Sequence, residues 1–262
     1  MSVTWSPSRP VTGPATIARV QSLGNSETMA LLARMTTQPS MQRRIAIDNL
    51  IGRLKTAGVW AKLDALYVLA AHEVGTAVLN WVSTNYNLTS GTPPTFTANL
   101  YVQGNGTTQF YDTQFNPTTA VSPKYVQDSA HIGAWQVNTV TSAVMGHTGA
   151  TLIPGTGPTY RLNGAVGITG SGAAGAGYVT AVRGSASSLI GYYNGVENIN
   201  SGSNTSAAPS NETFYICARN QTTDSFSQGR LTIVHFGQSL TAGEVAAAYS
   251  AFNLYLAGIG AV

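Results

Sequence analysis

Apolar positions along this chain follow two different rhythms. Residues 40–57 (SMQRRIAIDNLIGRLKTA) place Ile47, Leu50, Ile51 and Leu54 three and four positions apart, the spacing of one helix face. Pro39 and Ser40 stand at its start and Gly58 follows its end, so the pattern predicts a helix with signals at both boundaries. The shorter stretch 26–35 (SETMALLARM) reads as a second helix. Near the other end, LTAGEVAAAYSAFNLYLAGIG puts Val245, Ala248, Tyr249, Phe252 and Leu256 on one stripe. Thr241 and Glu244 form a capping box at its start, and Gly258 marks its end. These apolar faces must pack on something.

From about 80 to 240 the rhythm becomes extended. Segments such as PTFTANLYV, TQFYDTQF, HIGAWQVNTV, TYRLNGAVGI, GYVTAVR, ETFYICAR and RLTIVHFG are separated by Gly, Pro and Asn. Short strands punctuated by turn signals argue for a sandwich or barrel, and no helix-length pattern interrupts them to suggest βαβ units. The apolar run LDALYVLAA (63–71) is a buried strand or a short helix, since periodicity does not decide between them. SLIGYYNGVEN (188–198) predicts a hairpin, because Asn-Gly tolerates the positive φ that a two-residue turn needs at both centres. Alternation then sends Tyr192 and Tyr193 to opposite sheet faces. The chain divides into an arm and helical attachment region at 1–62 and a body with its closing helix at 63–262.

Charge sharpens that division. Residues 1–62 carry eight Lys/Arg against Glu27 and Asp48, while the remainder carries five against eight acids. A basic segment on a slightly acidic body suits docking onto another surface, with Arg43, Arg44, Arg53 and Lys55 opposite the apolar face of the 40–57 helix. The net charge of +3 is too small to argue for nucleic acid. The single cysteine, Cys217, excludes an internal disulfide and sits in an apolar strand, an inert environment. Residues 1–14 show no apolar signal core, and no apolar run approaches the ~18 residues of a membrane span. The expectation is synthesis in a cytoplasm without Sec export, and no membrane insertion.

Three longer segments carry a resemblance. NLYVQGNGTTQFYDTQFNP resembles the opening strand pair of laminin-G-like and pentraxin-like jelly rolls. LIGYYNG is similar to their later strand, with its apolar-x-Tyr-x-Asn/Asp-Gly pattern, and RLTIVHFGQSLTAGEVAAAY to their closing strand and short helix. Together they cover most of residues 84–250. The family is the concanavalin A-like lectin/glucanase fold. The resemblance implies a mainly β, antiparallel two-sheet jelly-roll sandwich with one concave sheet, here with an N-terminal helical region and a C-terminal amphipathic helix. More loosely, the texture of RMTTQPS, LIGRLKTAGVWAKLDALYVLAAH and LNW resembles particle-attached proteins of tailed bacteriophages, prophages and gene transfer agents.

Candidate chemistry thins out on inspection. Glucanases of this fold take two carboxylates from alternate residues of one strand, yet none of the ten acids lies two residues from another. HEVGT (72–76) begins like a zinc-binding His-Glu-x-x-His but ends in Thr76, and His131, His147 and His235 are scattered. GSGAAG (170–175) formally matches a dinucleotide loop, with Glu197 at the acidic position, but β-formers follow it where a helix is required. The resemblance implies calcium ligands of the Asp/Asn type. Asp112, Asn116, Asn220 and Asp224 are of that type without forming a carboxylate-rich loop, so no metal or cofactor is assigned. Tyrosine, twelve in number, suits sugar stacking, with Tyr192, Tyr193, Trp135 and Tyr160 as candidates.

The expected function is non-enzymatic: a fibre, spike or decoration component of a phage or phage-like particle, located on the virion. Its partners would be other particle proteins, further copies of itself and a cell-surface polysaccharide. The alternatives are a polysaccharide hydrolase or depolymerase on the same fold, and a purely structural packing protein.

Overall fold

The computed structural model describes residues 23–172, 175–221 and 225–262. The helices form where capping and spacing ask. In α2 (Met41–Thr56) the Ser40 hydroxyl accepts the Arg43 N–H at 3.3 Å, and Gly58 takes φ +75° just beyond the end. In α4 (Ala242–Gly258) both halves of the capping box are made: Thr241 accepts from the Glu244 N–H at 3.3 Å and Glu244 from the Thr241 N–H at 2.7 Å. Two shorter helices are α1 (Ser26–Leu32) and α3 (Val74–Ala77).

The strands in chain order begin with β1 (Leu63–Val68), β2 (Thr95–Thr97), β3 (Tyr101–Gln103), β4 (Tyr111–Asp112) and β5 (Ala130–Gln136). Next come β6 (Met145–His147), β7 (Ala150–Ile153), β8 (Thr159–Leu162), β9 (Ile168–Thr169), β10 (Gly177–Arg183) and β11 (Leu189–Tyr193). The last are β12 (Val196–Ser201), β13 (Tyr215–Ile216), β14 (Ala218–Arg219), β15 (Ser225–Phe226) and β16 (Arg230–Gly237). Eight of them form a large sheet in the order β12-β11-β10-β5-β16-β3-β2, with β1 also paired to β16. Six form a smaller sheet, β4-β13-β6-β7-β8-β9, and β14 pairs with β15 as a separate hairpin. Within the sheets, successive strands run antiparallel. This is the mainly β jelly-roll sandwich.

Alternation along the large sheet feeds two separate cores. Tyr178 and Val182 of β10 and Ile233 of β16 join Leu31, Ile47, Leu50, Leu54 and Phe252 on the helical side. Val179, Ala181, Val234 and Phe236 face the small sheet, meeting Met145, Leu152, Tyr160 and Ile216. Both faces are therefore covered, and β5 and β10 are buried at every position. The run at 63–71 resolves in favour of strand, β1, since register with β16 buries both of its faces. The described part of the N-terminal region, α1 and α2, is a layer of the same core. The Asn194-Gly195 turn has φ +49° and +80°, and the strands leave it with Tyr193 opposite Val196.

Candidate functional site

The covered sheet decides the fate of the predicted sugar-stacking rings. Tyr192 and Tyr193 do point to opposite faces, one into each core. Neither face is an open groove. Tyr192 is 2% exposed, Trp135 5% and Tyr160 0%, so these three offer no ring face to a ligand and their candidacy is corrected. Trp135 instead stacks on Tyr249 of α4 at 5.4 Å, and the Tyr160 hydroxyl donates to the Tyr192 carbonyl at 3.2 Å. Tyr193 keeps partial exposure, with its hydroxyl donating to the Ala176 carbonyl at 2.8 Å.

The four expected attachment residues have different surroundings. Arg43 donates to the Ala70 carbonyl and the Asn99 side chain and lies over the Tyr255 ring, so it ties α2 to the body. Arg44 donates to the Pro39 carbonyl, and Lys55 pairs with Glu27 at 2.8 Å. Arg53 is exposed and borders a groove of about 540 Å³ between α2 and α4, alongside Asn25, Asp48, Thr56 and Ser250.

Two of the scattered histidines meet in space. The Tyr178 hydroxyl lies 2.7 Å from His235 Nε2, His235 Nδ1 lies 2.9 Å from His131 Nε2, and His131 Nδ1 bonds the Gln238 carbonyl. One consistent assignment runs every proton toward Gln238, with both imidazoles neutral. Gly133 leaves room for the His235 ring, which a Cβ there would strike. Burial pushes His131 down to about 4 and His235 well below its ordinary value. Among the described residues, no group of three or more His, Cys, Asp or Glu is placed to hold a metal ion. Of the calcium candidates, Asp112 accepts the Gln114 N–H and Asn116 bonds Asn211, while Asp224 lies outside the described residues. The GSGAAG segment leads into strand β10, though Ala173 and Ala174 lie outside the described residues. Cys217 sits at a bend between β13 and β14 with φ +65°, buried, its thiol pushed up to about 12.

The outer face of the small sheet has a different character. The register aligns Asp112, Tyr215, Gly146, Thr151 and Arg161 across five strands, opposite the inward row Tyr111, Ile216, Met145, Leu152 and Tyr160. The β14–β15 hairpin folds back on this side, its Asn220 N–H donating to the Gly146 carbonyl at 3.1 Å. Gly146 and Thr151 lie buried beneath, while Phe110, Tyr215, Phe226, Arg161 and Arg219 remain partly exposed. Phe110 stacks on Tyr215 at 4.1 Å and lies 6.1 Å from Phe226. Aromatic faces flanked by guanidinium groups can stack on sugar rings and donate hydrogen bonds to their oxygens.

Arg161 lies beside the candidate Tyr160 in the sequence but belongs to no motif. A charged residue between inward Tyr160 and Leu162 was the available signal, because alternation turns it outward. Arg219 had no such signal, since the bend at Cys217 takes it out of the register of β13 and places it in the two-residue strand β14, opposite Ser225 of β15.

Sheet pairing, register and the helical layer thus define an antiparallel jelly-roll sandwich. No protein-family model matches the sequence, and no curated protein matches it. Among solved structures, the chain is similar to the binding domain of Paraclostridial Mosquitocidal Protein 1, with TM-score 0.53 and 10% identity over 74% of this chain and 53% of that one. It is likewise similar to the binding domain of botulinum neurotoxin serotype D, with TM-score 0.52 and 10% identity over 74% and 52%. Domain 4 of AbnA, an extracellular arabinanase from Geobacillus stearothermophilus, gives TM-score 0.44 and 13% identity over 71% and 98%. The likeness to the toxin domains is one of fold, and the chain spans about half of their length.

Proposed function

We propose that this chain is a non-catalytic saccharide-binding module whose contact surface is the outer face of the small sheet. The observation that carries the reading is the partly exposed cluster of Phe110, Tyr215 and Phe226 beside Arg161 and Arg219, on the side of the sandwich that no described helix covers. Engaged carboxylates favour binding over hydrolysis. Asp64 accepts the N–H groups of Lys124 and Tyr125, Glu212 accepts the N–H and the hydroxyl of Thr148, and Glu244 pairs with Lys62. The same reading makes the module an adhesion component of a phage or phage-like particle, supported by the texture of its N-terminal region. Attachment would use the α2–α4 groove bordered by Arg53.

The test is a panel of immobilised polysaccharides probed with the purified chain, with reducing ends measured in parallel. Binding that Tyr215→Ala and Phe226→Ala weaken, while the circular dichroism spectrum is kept, is the expected result. Release of reducing ends would replace the reading with a hydrolase. Retention of full binding by both variants would move the site elsewhere.

A further inference from the structure

We propose that the saccharide held at this face is anionic, with its carboxylate received by Arg161 and Arg219. This rests on the reading above. It comes from what the two guanidinium groups lack.

Arg183 shows how this protein satisfies an arginine kept for structure. It is fully buried, and its guanidinium donates to the Leu162 and Asn204 carbonyls at 2.7 and 2.8 Å and to the Asn204 side chain at 2.5 Å. Arg161 and Arg219 are built otherwise. Arg161 donates once, from Nε to the Gly164 carbonyl at 2.8 Å, which orients the group and leaves its two terminal nitrogens without a protein partner among the described residues. Arg219 has a buried Nε with no hydrogen-bond partner among the described residues. Neither takes part in an ion pair among the described residues. Two described acids near this face bond elsewhere: Asp112, in the same register row, accepts the Gln114 N–H, and Glu212 accepts from Thr148.

Arg161 also feels the charge of Arg219. Arg161 is held below its ordinary value first by burial and then by the charge of Arg219. Two half-buried like charges without a counter-ion among the described residues are an unfavourable arrangement that a bound anion relieves. A carboxylate suits the planar fork of arginine, which gives paired parallel hydrogen bonds. The Phe110–Tyr215 stack beside them supplies an apolar platform for the rest of a sugar ring.

The experiment compares binding of the full chain to dextran, polygalacturonate and dextran sulfate, at low and high NaCl, for the parent and for Arg161→Gln, Arg219→Gln and Arg161→Lys. The expected result is preference for polygalacturonate, weakened by salt and reduced about tenfold or more by either Gln variant. Arg161→Lys should restore little, because an ammonium lacks the fork. Preference for dextran, unchanged in the Gln variants, overturns the anionic assignment and leaves the saccharide reading standing. Equal binding of dextran sulfate overturns the carboxylate assignment. Polygalacturonate binding that survives both Gln variants overturns the arginine assignment. Binding to none of the three by a folded protein counts against the saccharide reading itself.

Discussion

Acidification should destabilise this protein well before its carboxylates begin to protonate. His131, His147 and His235 are all fully buried. Burial lowers His131 to about 4 and His147 to about 3, the latter with help from the Arg161 charge, and it holds His235 well below its ordinary value, helped by its neighbour His131. In the unfolded chain each titrates near its ordinary value of about 6.5. Between that value and the folded one, the unfolded state binds the proton and the folded state refuses it. Stability is therefore complete above pH ~6.5 and is lost as pH falls. Going from pH 7 to pH 5 costs about 2 kcal/mol for His131 and about 2 kcal/mol for His147, with His235 adding in the same direction. Geometry agrees: protonating His131 at Nε2 would set an N–H against the His235 Nδ1–H that it now accepts. Glu27, Asp48, Glu73 and Glu244 have lowered values, so their stabilisation is lost only at more acid pH. Asp64, raised by burial, opposes the trend at the acid end. Urea denaturation at pH 7, 6 and 5 measures the effect, and comparison with His147→Phe isolates one imidazole. The parent should lose about 4 kcal/mol or more over this range, and the variant about 2 kcal/mol less than the parent. Equal stability at pH 7 and pH 5, or identical slopes for parent and variant, would refute the reasoning.

Two further outcomes follow from packing. Gly195→Val should destabilise by about 1 kcal/mol or more, because φ is +80° and a Cβ would lie 3.0 Å from Tyr249 Cβ; an unchanged melting temperature would count against the strained turn. Phe252→Ala should cost about 3–5 kcal/mol by emptying a fully buried site between Tyr178 and His235, while Asn253→Ala, half-exposed one position on, should cost far less by thermal denaturation.

Local signals were legible wherever neighbours in sequence are neighbours in space. Helix α2 with its Ser40 cap, the Thr241–Glu244 box and the Asn194-Gly195 turn each depend on contacts within a few residues, and all three stand as the spacing predicted. The opposition of Tyr192 and Tyr193 follows from strand geometry alone. What lies above each face was not legible, because periodicity sorts side chains between two faces without saying what covers either. The helices close one side of the large sheet and the small sheet closes the other, which turned Tyr192, Trp135 and Tyr160 from candidate ligand contacts into core. Pairings across long stretches of chain were equally hidden: His131 meets His235 across 104 residues, and Arg219 comes near Arg161 only because the chain bends at Cys217 and folds back over the small sheet. The sequence by itself determined the elements, their caps and the split of each strand into two faces, since those are set by backbone geometry and short-range contacts. Only the tertiary structure decided which face stayed open and which charges were left without partners, because burial and charge pairing belong to the assembled layers.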